Sequence, residues 1–340
     1  VEKITEKASL LGPNSLGKTL QVIDSTLRGI RYVALEDSDL SKVGLPKVRL
    51  NPVVGIVEIA SGCMSECTFC QTKLAKGDLT SYRIGDIVRQ VETEISEGCK
   101  EIWLTSTDNG CYGFDINTDL PTLVKAVSEI PQDFMIRVGM MNPMYMPRIK
   151  EELIKSYDSD KVYKFLHIPV QSGSDKILHD MKRGHTVKTV REVIEKAKER
   201  FTNFTISTDV IVGFPSETEE DFEKTVDLIN EIRPDMVNLS KYSARPGTEA
   251  AELDQIEASE VKKRSKVIFD IINKISLENN QKWIGWKGKV LFDEETNEGI
   301  KGRNFAYKPV VVKEEIKIGQ THIVEILDAT TRSILGKIAS

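Results

Sequence analysis

The sequence is poor in aromatic residues (6%) and in cysteine (five in 340 residues), and it has no long uninterrupted apolar run. Without about 18 consecutive apolar residues, no membrane-spanning helix is expected. So few cysteines exclude a disulfide-dense scaffold. Basic charge is not in surplus: 47 Lys and Arg against 52 Asp and Glu leave a net −5. That excludes a surface coated in positive charge, while one basic face remains compatible with it. No low-complexity tract or repeat interrupts the chain, and no basic, apolar, small-residue leader follows Val1. A reducing, cytoplasmic setting is the expectation, where thiols serve metals or catalysis rather than cross-links.

At 340 residues the chain exceeds one ordinary core, so two or three domains are expected. Residues 1–45 read as a short unit: a helix capped at Asn14 or Ser15 and ended by Gly29, a strand over Arg31–Leu35, and a charged connector from Glu36 to Pro46. From 46 to 281, short β-branched runs alternate with amphipathic helical patterns. The runs are Val53–Ala60, Glu101–Thr105, Phe134–Val138, Lys164–Pro169, Phe204–Val212 and Met236–Leu239. The patterns include Ile84–Glu97, Leu120–Ile130, Thr189–Arg200 and Thr218–Ile232, with a closing helix over 258–281. Such alternation predicts an α/β fold with parallel strands, here a partial (β/α)6 barrel. Its functional loops lie at the carboxyl ends of the strands. Residues 282–340 hold about five short strands broken by Gly and polar residues, which predicts a small closed β-barrel of the oligonucleotide-binding type.

Three of the five cysteines sit together, in Cys63-Met-Ser-Glu-Cys67-Thr-Phe-Cys70, where the first barrel strand ends. A closed zinc site takes four ligands, usually as two pairs. Here one loop supplies three thiols with no fourth ligand nearby. Three thiolates on a [4Fe–4S] cluster leave one iron open to the amino and carboxylate groups of a methionine moiety, beside a one-electron donor. The alternative is a zinc site completed from a distance.

The triplet resembles that of the radical S-adenosylmethionine superfamily. The resemblance covers nearly the whole chain. Leu104-Thr-Ser-Thr-Asp-Asn-Gly-Cys-Tyr-Gly113, His167-Ile-Pro-Val-Gln-Ser-Gly-Ser174, Asp209 through Phe222, and Tyr242-Ser-Ala-Arg-Pro-Gly-Thr248 are similar to the tRNA methylthiotransferases. Gly302-Arg-Asn-Phe-Ala-Tyr-Lys-Pro309 is similar to their archaeal and eukaryotic branch, which acts on N6-threonylcarbamoyladenosine next to the anticodon. The resemblance implies that a 5′-deoxyadenosyl radical takes hydrogen from C2 of that base. Sulfur is then inserted and methylated by a further S-adenosylmethionine. It also implies a second [4Fe–4S] cluster in an amino-terminal domain, of which residues 1–45 look like a remnant. The expectation is a truncated form that cleaves S-adenosylmethionine without completing methylthiolation. Further implied are tRNA as partner, an electron donor such as flavodoxin or ferredoxin, no membrane, and a monomer. Methylthiolation of a ribosomal protein, or a non-enzymatic RNA-binding metal protein, are the competing readings.

Other residues are weighed on both grounds. Cys63, Cys67 and Cys70 are the expected cluster ligands, with Phe69 beside the adenine of the cofactor. Thr107 and Asp108 follow the second strand and suit the cofactor's ammonium, although Asp108-Asn-Gly110 is also a turn sequence. Gln171 and Ser172 suit ribose hydroxyls, and Ser174 suits a helix cap. Asp209, Val212, Gly213 and Phe214 are expected at the cofactor, with Gly213 allowing close backbone approach. The acidic run from Glu217 is expected in a first helical turn. Arg183 and Arg245 are assigned to substrate. Lys301, Arg303 and Lys308, interleaved with aromatics in what resembles the TRAM domain, are assigned to RNA. Cys99 and Cys111 read as packing residues, and His167 as core.

Overall fold

The computed structural model describes residues 6–36 and 41–339. Of the amino-terminal segment and the connector read from the sequence, Val1–Thr5 and Asp37–Leu40 lie outside these residues. In the first segment α1 spans Thr19–Leu27 and follows a 3-10 turn over Leu16–Lys18. Ser15 does not cap it, because its hydroxyl donates to the Glu36 carbonyl at 2.5 Å. The strand expected over Arg31–Leu35 shortens to Val33–Ala34, paired with Leu10–Leu11.

Six parallel strands follow among the described residues: β1 Val54–Glu58, β2 Glu101–Thr105, β3 Met135–Val138, β4 Phe165–His167, β5 Thr205–Val212 and β6 Met236–Lys241. They form two three-stranded sheets, β1-β2-β3 and β4-β5-β6, joined by a parallel bridge between Ile136 and Val162. β1 and β6 are edge strands, so the barrel is open along one side. The crossovers carry α2 (Ile84–Ser96), α3 (Leu120–Ser128), α4 (Met146–Ser156), α5 (Val187–Arg200) and α6 (Glu219–Ile232), and α7 (Ala258–Gln281) closes the unit. α4 is absent from the sequence expectations. Pro147 occupies its first helical turn, where the missing N–H costs nothing.

Strand alternation sorts the side chains. Val57, Ile102, Leu104, Ile136 and Val138 pack on the helices in one core with Ile87, Val91, Leu123 and Leu153. Their neighbours Glu58, Trp103, Thr105 and Arg137 therefore face the lumen. A second core joins Ile206, Val210 and Val212 to α5, α6 and α7.

The last 54 or so residues form a closed five-stranded barrel in the order β7-β8-β9-β11-β10 (Lys287–Thr296, Gly299–Arg303, Pro309–Val312, Ile334–Ile338 and Thr321–Ala329). Its core holds Phe292, Val310, Val324, Ile326 and Ile334, with Trp283 beneath. It docks on the amino-terminal ends of the large barrel's strands. There Tyr307 meets Tyr163 and Phe165 at centroid distances of 4.9 Å each, and Asn51 Nδ2 donates to the Asp293 carbonyl at 2.7 Å.

This docking corrects the RNA assignment of three residues. Lys308 is buried and binds Asp235 at 2.7 Å and Asn280 Oδ1 at 2.8 Å. Arg303 lies over the Tyr307 ring and beside Asp293, and Lys301 pairs with Glu294. All three serve the barrel or its seat rather than a phosphate. Lys308→Ala is expected to cost about 2–3 kcal/mol, since Asp235 keeps only the Ile206 N–H and is left as a nearly buried charge. Urea unfolding of the two proteins measures it, and equal midpoints would refute the pairing.

Candidate functional site

The strand ends of the large barrel converge on the cysteine loop. Gly62 begins it with φ +71°, and a Cβ there would lie 1.9 Å from the Asp78 carbonyl oxygen, so only glycine fits. Lys73 Nζ donates to the Cys63 carbonyl at 2.6 Å, and Cys70 N–H bonds the Cys67 carbonyl at 3.0 Å, folding the triplet back on itself.

Two thiols have close protein partners. Arg183 Nη1 lies 3.2 Å from Cys67 Sγ, and Nη2 donates to the Pro169 carbonyl at 3.2 Å. Burial pushes the Cys67 thiol up, and the guanidinium pulls it back. Arg183, expected at the substrate, is thus buried against the cysteine loop. Sγ of Cys63, Sγ of Cys111 and a carboxylate oxygen of Asp108 all lie within 4.8 Å of one another. The Cys111 thiol, with the Ser65 amide, draws the Cys63 thiol down to about 6 against its burial. Cys111 is buried as expected, but it borders the cysteine loop rather than merely filling core. Cys99 is core, 3.8 Å from Glu94.

Asp108 makes the turn contacts: its Oδ1 accepts from Gly110 N at 2.9 Å and Asn142 N at 3.0 Å. Burial pushes its carboxyl up to about 7. Thr107, beside it, is different, because its hydroxyl is buried with no partner. So is Gln171, which adopts φ +73° although it is not glycine, and whose Oε1 is buried and unpaired. A strained backbone holding an orphan oxygen is costly unless something else fills the site. Arg183 Nε and the Tyr242 hydroxyl are orphaned too.

Phe69 and Phe214 come together with Tyr242 in a small apolar cluster, Phe214 and Tyr242 edge to face at 5.6 Å. The remaining expectations change. Val212 is fully buried in the helix-side core, so it is not a cofactor wall. Gly213 has φ +78°, and a Cβ there would lie 2.5 Å from Val261; α7, not a ligand, approaches it. Ser172 is buried against Thr225 at 3.3 Å. Ser174 does not cap its helix and donates instead to Asp221 at 2.6 Å. Glu217 precedes α6 and is buried, accepting from Gly213 N at 2.8 Å and Arg264 Nη1 at 2.7 Å. Arg245 is exposed in the loop after β6. Asp209 faces the lumen and bonds His167 at 2.9 Å and Asn238 at 2.6 Å. His167 was therefore misread as core; its place one residue before Ile168-Pro169 at a strand end was the available signal.

The donor set suits an iron–sulfur cluster with a bound methionine moiety. Three thiols of one loop face a rim of unpaired Thr107, Gln171 and Arg183 polar atoms, flanked by an aromatic patch.

Residues 57–229 match the model of the radical SAM superfamily. A protein of Pyrococcus abyssi named "Probable threonylcarbamoyladenosine tRNA methylthiotransferase" is 42% identical over 99% of this chain and 80% of its own length. One of the same name in Archaeoglobus fulgidus is 43% identical over 100% of this chain and 80% of its own length. The threonylcarbamoyladenosine tRNA methylthiotransferase of Drosophila melanogaster is 38% identical over 97% of this chain and 62% of its own length. Among solved structures, a radical S-adenosylmethionine methyltransferase from Kitasatospora setae with tryptophan and an S-adenosylmethionine analogue superimposes with a TM-score of 0.51. It is 16% identical over 62% of this chain and 41% of its own length, a likeness of fold.

Proposed function

From its membership of the radical S-adenosylmethionine superfamily, in the threonylcarbamoyladenosine tRNA methylthiotransferase family, we propose that this chain cleaves S-adenosylmethionine and directs the radical to C2 of N6-threonylcarbamoyladenosine in tRNA, the step that opens that position to methylthiolation. The observation that carries the proposal is the cysteine loop at the end of β1, ringed by orphaned polar atoms of Thr107, Gln171 and Arg183. Cys63, Cys67 and Cys70 hold the cluster. When bound, it supplies the electron that cleaves S-adenosylmethionine to methionine and a 5′-deoxyadenosyl radical.

The chain's own residues then bind, orient and shield. Thr107 and Gln171 present unpaired oxygens to the cofactor's donors, and Phe69, partly buried and backed by the fully buried Phe214, covers its adenine. Arg183 neutralises thiolate charge at Cys67. Hydrogen abstraction from carbon needs no acid–base pair, and none of these residues is asked to move a proton. An electron donor of the flavodoxin or ferredoxin type reduces the site. Residues 282–340 act as the RNA-binding unit and 46–281 as the catalytic one. No helix among the described residues is long and apolar enough to cross a membrane.

The decisive experiment incubates anaerobically reconstituted enzyme with S-adenosylmethionine, a low-potential reductant, a sulfide source and tRNA carrying threonylcarbamoyladenosine. With the base deuterated at C2, mass spectrometry should show deuterium carried into 5′-deoxyadenosine, and 5′-deoxyadenosine formed without deuterium would defeat the assignment. Lys308 is buried, and Lys301 and Arg303 pair with Glu294 and Asp293, whereas Lys287 and Lys289 on β7 are exposed and can meet phosphates. Reversing both to Glu should flatten the slope of log affinity against log salt by about one unit per lost phosphate contact. Anisotropy titrations with tRNA between low and physiological salt check this; an unchanged slope would place the RNA elsewhere.

A further inference from the structure

The lumen carries a polar group that the radical chemistry leaves unused. His167 on β4, Asp209 on β5 and Asn238 on β6 are neighbours across three adjacent strands. Asp209 Oδ1 lies 2.9 Å from His167 Nε2 and accepts from Asn238 Nδ2 at 2.6 Å. Those two bonds fall on one oxygen, and among the described residues nothing donates to Asp209 Oδ2. Asp209 Oδ1 accepts from the Nε2–H of His167, which leaves Asp209 Oδ2 as the carboxylate's free acceptor. The side chains are 13% and 25% exposed, so the pair is reachable from the lumen. Asp209 Oδ2 faces that space, in a site whose proposed substrate is a modified purine.

Their level matters. Asp209 lies three residues before Val212, the end of β5, about 10 Å below the strand end by strand rise. The cysteine loop and the Phe69–Phe214 patch lie at that end. β6, which carries Asn238, is an edge strand, so the open side of the barrel runs past the pair. A base entering there with C2 turned up to the cleaved cofactor must direct its N6 group away from it, towards the lumen wall. In threonylcarbamoyladenosine that group begins with an N–H.

We propose that Asp209, held by His167 and Asn238, is the acceptor for the N6–H of the substrate nucleoside, so that this trio orients the base for attack at C2. The inference rests on the function proposed above and moves Asp209 from cofactor to substrate. Asp209 binds, and His167 and Asn238 position it. A charge-assisted hydrogen bond in a half-buried site contributes enough to read directly as affinity.

The test uses the reconstituted full chain and two anticodon stem-loops. One carries threonylcarbamoyladenosine, and the other its N6-methyl derivative, which lacks the N6 proton. Wild type should bind the first more tightly, on the order of tenfold or more. Asp209→Asn should lose that preference and bind both stem-loops alike, with affinity for S-adenosylmethionine kept. His167→Asn, measured in the same way, should shrink the preference and settles the matter if Asp209→Asn does not fold. A preference that survives both substitutions overturns the inference, as does a loss that falls on S-adenosylmethionine affinity while the preference stays. A wild type that cleaves S-adenosylmethionine yet binds neither stem-loop overturns the substrate assignment and this inference with it.

Discussion

Cys67→Ala is expected to abolish both the cluster and the formation of 5′-deoxyadenosine. The loop between β1 and the Gln71–Lys76 helix supplies three thiols, the soft ligands an iron–sulfur cluster takes. Two thiolates cannot hold a four-iron cluster in place, because each ligand fixes one iron and one iron already depends on the cofactor. After anaerobic reconstitution the variant should therefore lack the broad absorption near the visible–ultraviolet boundary, and its bound iron and sulfide should fall close to the background. Deoxyadenosine should drop below detection. Cys99→Ala is the control: Cys99 is buried in the core behind β2, next to Glu94, and its loss should leave iron content unchanged. A Cys67→Ala protein that still assembles a full cluster would show that Cys111, within 4.8 Å of Cys63 and Asp108, can serve as a ligand in its place.

The same loop shows how unevenly the fold and site were legible. Glu101–Thr105 and the helix over 258–281 emerged at their read boundaries, because a short apolar run (Ile-Trp-Leu) and a long 3.6-residue period each admit one local solution. The triplet was legible for a chemical reason: three thiols in one loop after a strand have few other uses. What failed was direction. Val212 and Asp209 lie on one strand, yet they face opposite layers, and only packing against Val261 and Ile268 fixes which is which. Gly213 was read as space for a ligand, whereas the space belongs to α7. Lys301, Arg303 and Lys308 looked like a basic face because lysine and arginine are usually solvated. Their partners Glu294, Asp293 and Asp235 include one residue more than 70 positions away, and no local pattern announces such a pairing.

The failures share a cause that bears on the enzyme. Residues at the amino-terminal ends of the strands (Glu101, Tyr163, Asp235 and the inserted Tyr307) tie the two barrels together, while those at the carboxyl ends stay unsatisfied. Buried polar atoms of Thr107, Gln171, Arg183 and Tyr242 lack partners at the carboxyl end; at the other end Lys308 and Tyr163 are bonded, although Thr205, Asp293, Arg303 and Asn304 each keep an orphaned atom there too. Stability is built at one pole and chemistry at the opposite one, as parallel α/β barrels in general arrange it.

The link between the two is Glu217. Its carboxylate is buried, with a side-chain exposure of 0%, and it is held by Arg264 Nη1 at 2.7 Å and by the Gly213 amide at 2.8 Å. Arg264 is itself buried, spans α7, and stacks on Phe222 with the guanidinium 5.4 Å from the ring. Arg264→Ala therefore leaves a carboxylate with no cation in a dry place, and the expected loss is about 3–5 kcal/mol. Because Gly213 N–H depends on the same carboxylate, the turn that presents Phe214 should loosen, and cofactor affinity should fall along with stability. The pH dependence has a definite sign. Burial raises the Glu217 pKa above its unfolded value, so the native state binds the extra proton more tightly and stability falls as pH rises through the folded pKa. Removing Arg264 raises that pKa further. The deficit of Arg264→Ala, read as the difference in urea midpoint from wild type, should accordingly be smaller at pH 5 than at pH 8. Arg264→Ala with Glu217→Gln should recover part of the loss at pH 8 and respond little to pH. A deficit that is the same at both pH values would mean that the lost contacts of Arg264 with Glu219, Glu260 and Phe222 carry the effect, and that Glu217 was never ionised in the folded protein.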